Sequence, residues 1–97
     1  MKIKPIRKPA SCRQGTLDHD LTINHITAVL GFPPNCSDLD DPDKVKNSWG
    51  FQVQIPSIKR GKSKWAQCGI WDYKGDRWST CGPAEIFEQL FPGRYSR

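Results

Sequence analysis

The chain has no cysteine pair at C-x-x-C spacing, no glycine-rich phosphate loop, no internal repeat, no low-complexity stretch and no long apolar run. Each absence removes a class of protein. Nothing approaches the roughly 20 consecutive apolar residues of a bilayer-spanning helix, so no membrane span is expected. The opening MKIKPIRKPAS is basic but carries no apolar stretch, so it does not read as a secretory leader, and a cytoplasmic setting is expected. In a reducing compartment Cys12, Cys36, Cys68 and Cys81 are not expected to form a disulfide framework. No histidine stands at knuckle spacing from them, so they read as buried free thiols, and neither metal nor cofactor is expected. No serine, cysteine or histidine constellation for covalent catalysis can be assembled from spacing.

What is present is a 97-residue chain, 36% hydrophobic and 26% charged, enough for one small domain with one core. Four tryptophans among its aromatics can each bury a large area, so a core needs no staple. The net charge of +5 is unevenly placed. Lys2, Lys4, Arg7, Lys8 and Arg13 crowd the first residues, and Lys59, Arg60, Lys62 and Lys64 form a second cluster, while Asp38, Asp40, Asp41 and Asp43 lie together. Such asymmetry favours an anionic partner or a polar protein surface.

Residues 1–15 show no period and read as a mobile basic arm, with residues 16–97 as a single α+β domain. TINHITAVLG predicts a helix: Thr22 as N-cap, Leu21 stapling onto Ile26, an apolar face of Ile23, Ile26, Val29 and Leu30, and Gly31 as the left-handed stop before Pro33-Pro34. From Trp49 the period changes to two, predicting a strand to Ile55, a second from Trp65 to Tyr73 and a third from Arg77 to Cys81 after a tight turn at Lys74-Gly75-Asp76. Gly82-Pro83 opens a second helix with an inward stripe of Ile86, Phe87, Leu90 and Phe91. The expected architecture is α-β-β-β-α, a three-stranded antiparallel meander with both helices packed on one face.

The run CGIWDYKGDRWSTC raises a choice of function. Pro42-Asp43 followed by Asp72-Tyr73-Lys74 matches the PD-(D/E)xK pattern, whose carboxylates hold a divalent ion while the lysine helps activate water. A lysine in a hairpin turn beside glycine is a poor place to fix a catalytic amine, so Asp72, Lys74 and Asp76 read first as turn residues. The acidic run from Asp38 does not fit a calcium loop, because Asp43 and Trp49 stand where glycine and glutamate are needed. The remaining signal is basic and aromatic together. Lys59, Arg60, Lys62 and Lys64 form a hairpin tip followed at once by Trp65, and Trp71, Tyr73 and Trp78 are expected to line the sheet face left open by the helices. With Arg7, Lys8 and Arg13 from the arm, these are the candidate binding residues.

The run LGFPPN, the phrase DDPDKVKNSWGF, the strand CGIWDYKGDRWS and the closing GPAEIFEQLFPGRY resemble small, mostly uncharacterised accessory proteins encoded by tailed bacteriophages, over about residues 20–95. That resemblance brings no catalytic residues. It implies a setting in which proteins of this size inhibit host or defence machinery, as anti-CRISPR proteins do. The expected function is non-enzymatic: occupying a surface on a host or defence complex, one handling nucleic acid. The alternatives are direct binding of nucleic acid or nucleotides, and a metal-dependent nuclease built on Asp43, Asp72 and Lys74.

Overall fold

The computed structural model describes residues 2–7, 13–36, 47–56, 63–72 and 78–97, with the backbone alone at 55, 56, 63 and 64. In chain order they form β1 (Lys2–Pro5), β2 (Gly15–Leu17), α1 (Ile23–Leu30), β3 (Ser48–Pro56), β4 (Ser63–Asp72), β5 (Trp78–Cys81), α2 (Ala84–Leu90) and β6 (Tyr95–Ser96). The strands make one six-stranded sheet in the order β1-β3-β4-β5-β2-β6, and every pairing is antiparallel. None of the described helices is long and apolar enough to cross a membrane.

The expected three-stranded meander is therefore only the middle of the sheet, and the α-β-β-β-α order is corrected at both ends. Two strands precede α1, and one follows α2. The expected mobile arm is corrected as well: Lys2–Pro5 pairs with β3, and Gly15 opens β2 between β5 and β6. These added strands are two to four residues long. Segments so short take their extended form from a neighbour's ladder rather than from their own pattern.

α1 forms as its sequence dictates. Thr22 Oγ1 accepts a hydrogen bond from His25 N–H at 3.1 Å, and Gly31 adopts φ 90° while donating to the Thr27 carbonyl at 2.7 Å. Leu21 and Ile26 are both buried, as the staple requires.

Directly opposed residues of an antiparallel pair share a face, so the registers sort the sheet. One face carries Leu17, Trp49, Phe51, Val53, Cys68, Ile70 and Trp78, all buried. These join Ile26 and Leu30 of α1 and Ile86 and Phe87 of α2 in a single core. Trp49 meets Trp78 edge-on at 5.5 Å, Phe51 meets Phe87 at 6.3 Å, and His25 lies 6.2 Å from Phe91. Both helices thus sit on this face. Trp78, expected on the open face, is corrected to the core. It lies opposite Asp72 and Leu17, and its Nε1 donates to the Leu21 carbonyl at 2.8 Å.

Candidate functional site

The other face of the sheet can be followed strand by strand. One cross-strand row runs Lys2, Gln54, Trp65, and the next runs Lys4, Gln52, Gln67. A third holds Gly50, Gly69 and Cys81, and a fourth Ser48, Trp71, Ser79, Thr16 and Ser96. The face divides into two halves. In the first two rows Lys2, Lys4, Trp65 and Gln67 are exposed, with the two glutamines of β3 half-buried between them. In the other two, Ser48, Gly50, Gly69, Ser79 and Cys81 are buried. Trp65, 42% exposed, is the large aromatic ring that the described surface offers to a partner. The exposed half combines an indole, two ammonium groups and three side-chain amides, a set suited to stacking and to hydrogen bonding an anionic or polar partner.

The candidate residues scatter across this frame. Trp65 lies on the exposed half, and Trp71 lies half-buried at the far end of the same face, about 20 Å along the strand. Trp78 is in the core, so the expected open set of rings does not form as one patch. Arg7 and Arg13 are exposed, just after β1 and just before β2. Lys64 belongs to β4 opposite Ile55. Lys8, Lys59, Arg60, Lys62 and Tyr73 lie outside the described residues, as do Asp43 and Lys74 of the nuclease alternative. Lys2, Lys4, Gln52, Gln54 and Gln67 were not among the candidates. The alternation in Lys2-Ile3-Lys4 was the available signal, since it puts both cations on one face of a strand.

Asp72, the described member of the nuclease alternative, holds the chain together. Its Oδ1 accepts from Asn47 N–H at 2.8 Å and its Oδ2 accepts from Asn47 Nδ2 at 3.1 Å. With Asp72 N–H donating to the Asn47 carbonyl at 3.1 Å, the two residues close the end of the β3–β4 ladder.

Cys36, Cys68 and Cys81 are buried. Burial, with Cys81 nearby, pushes the Cys68 thiol from 9.0 up to about 12. Arg94 is held above its ordinary value by hydrogen bonding to Asp20 at 2.9 Å, with Asp18 adding to the effect.

Beyond Gln67 the surface opens into a groove of about 760 Å³, bounded by Gly82, Pro83, Glu85, Tyr95 and Arg97. Gln14, which also lines it, accepts from Gly82 N–H through Oε1 at 2.7 Å. Gly82 has φ 125°, and a Cβ there would lie 2.8 Å from Cys68 Sγ, so the chain can leave β5 at this point only as glycine. The chain matches no family model, no curated protein and no solved structure.

Proposed function

We propose that this chain is a non-catalytic binding protein of the bacteriophage accessory kind, which inhibits a host or defence complex by occupying one of its surfaces. The complex is one that handles nucleic acid. The observation that carries this reading is the exposed Trp65 in a cross-strand row with Lys2 and Gln54, beside the row of Lys4, Gln52 and Gln67. A large exposed ring with amides beside it and cations one strand further on has the composition of an interface anchor with a polar rim. The engagement of both Asp72 carboxylate oxygens by Asn47 supports a structural role for that residue rather than metal ligation.

The test is capture of partners from lysate of the bacterial host with tagged protein, before and after nuclease treatment. Wild-type protein is expected to retain a defined protein assembly after nuclease, and Trp65→Ala and the double change Lys2→Ser with Lys4→Ser are expected to lose it. A second reading, direct binding of single-stranded nucleic acid, is favoured by the same ring on a sheet face that also carries two ammonium groups, across β3 from it. Under that reading the captured material disappears with nuclease, and affinity for an oligonucleotide falls steeply with salt.

A further inference from the structure

Hydrogen bonds at its ends fix which way each backbone group of the central hairpin points. Asp72 N–H donates to the Asn47 carbonyl, so even-numbered residues of β4 turn their N–H and C=O groups toward β3. On β3 the even residues point away from β4, since Ile6 N–H donates to Gly50 O at 3.0 Å and Gly50 N–H donates to Asn35 Oδ1 at 2.8 Å. The odd residues of β4 therefore face the opposite side. At Gly69 and Trp71 that side is filled by Cys81 and Ser79 of β5. β5 pairs with β4 only over Gly69 to Asp72, and the chain then turns off at Gly82. The backbone groups of Ser63, Trp65 and Gln67 thus point outward with no strand beside them among the described residues.

The sheet's outer edges are less receptive. β1 is four residues long and ends in Pro5, which has no N–H, and β6 has only two residues. The free half of β4 is longer, carries the exposed Trp65 and opens onto the groove beyond Gln67.

We propose that this edge takes up an extended acidic segment of the partner protein as an added strand, antiparallel to β4 and in line with β5. Each of Trp65 and Gln67 then exchanges two backbone hydrogen bonds with the incoming residue opposite it, extending the spacing already set by Gly69 and Trp71. The side chains of those incoming residues fall on the face of Trp65, where an apolar one covers the indole. The acidic character follows from charge: Lys64 lies within the edge, Lys59, Arg60 and Lys62 precede it in sequence, and the chain carries +5 overall. A second copy fits poorly. It would bring a second chain of the same +5 charge, with its own Lys64, against this edge. This inference rests on the partner being a protein, as proposed above.

The test uses the full chain and a short end-blocked peptide alternating glutamate with valine, with an N-methylated version and a version carrying lysine for glutamate. The acidic peptide is expected to slow hydrogen exchange at the Trp65 and Gln67 amides about tenfold or more. N-methylation of alternate peptide residues, and Gln67→Pro in the protein, should each weaken binding about tenfold, because each removes N–H donors from the ladder. Proline at an outward-facing edge position leaves the remaining pairing intact. Unchanged amide exchange at saturating peptide, equal affinity for the N-methylated peptide, or equal affinity for the lysine peptide would each overturn the inference. So would an oligothymidylate that protects these two amides where the peptide does not. Peptide failure with lysate capture still dependent on Trp65 sinks the edge alone. Peptide uptake with capture indifferent to Trp65, Lys2 and Lys4 sinks the sheet-face reading alone.

Discussion

The side-chain amide of Asn35 pairs with the backbone of Gly50 as a peptide group of a neighbouring strand would. Gly50 N–H donates to Oδ1 at 2.8 Å, and Nδ2 donates to the Gly50 carbonyl at 3.0 Å. Nδ2 also donates to the Ile6 carbonyl at 3.1 Å, and the N–H groups of Asn35 and Cys36 both donate to the Ser48 carbonyl. β1 stops at Pro5, and Asn35 fills the edge of β3 where it ends. Replacing Asn35 with alanine leaves these groups short of partners, and a loss of about 2–3 kcal/mol is expected by urea unfolding. Asn35→Asp should be worse at neutral pH, because a carboxylate oxygen would face two carbonyls. Part of that loss should return as acid protonates the new group and restores a donor. Wild-type stability of Asn35→Asp at neutral pH would refute this account.

Trp65 and Trp78 should respond oppositely to substitution. Trp78→Phe removes the bond from Nε1 to the Leu21 carbonyl and part of the contact with Trp49, at an expected cost of about 1–3 kcal/mol. Trp65→Ala should cost less than about 1 kcal/mol while removing partner binding. Thermal unfolding of the two variants checks the order, and the reverse ranking would return Trp78 to the surface.

Asp72→Ala should lower stability by about 2–3 kcal/mol, since the Asn47 N–H and Nδ2 both lose their hydrogen bonds to the carboxylate. Wild-type protein with magnesium or manganese is expected to leave plasmid and single-stranded DNA intact. Metal-dependent cutting abolished by Asp72→Asn would establish the nuclease alternative instead.

Among the described residues, Thr80 Oγ1, buried on the core face of β5, has no hydrogen-bond partner. Thr80→Val keeps the shape, removes the unsatisfied hydroxyl and should raise stability by about 1 kcal/mol. A measured loss would mean that the hydroxyl has a partner in solution.

Cys68 sets an alkaline limit. Its thiol is raised from 9.0 to about 12 in the folded chain, mainly by burial. The unfolded chain therefore gives up this proton first, and the associated stability, intact below pH 9, drains away as pH rises toward 12. In Cys68→Ala the alkaline decline of the urea midpoint should be shallower than in wild type. Parallel declines would show that other groups control it.

The sequence made the long elements readable because each carries its own signal. Thr22 and Gly31 mark α1, and the alternation from Trp49 to Ile55 marks β3, which spans Ser48–Pro56. β1, β2 and β6 carry too few residues for a period, so their partners decide them. The site suffered from the same limit: with β1 read as a mobile arm, Lys2 and Lys4 could not be placed on the sheet face that carries Trp65. Trp78 was misplaced because the side-chain period is two, and the face on which a returning strand puts its residues depends on the register across the turn. The register that sets Trp78 against Asp72 supplies a constraint that composition does not.

The strand order has a consequence for the order in which the protein is made. β2 leaves the ribosome early, but its two neighbours in the sheet are β5 and β6, which follow nearly the whole of the rest of the chain. Until they emerge, Gly15–Leu17 has nothing to pair with, whereas β3, β4 and β5 can zip up in sequence as they appear. Synthesis thus builds the middle of the sheet first and leaves one flank open until β6 closes over β2. A nascent chain stalled before β6 would expose the side of β2 that β6 later covers, the edge from which misassembly would begin.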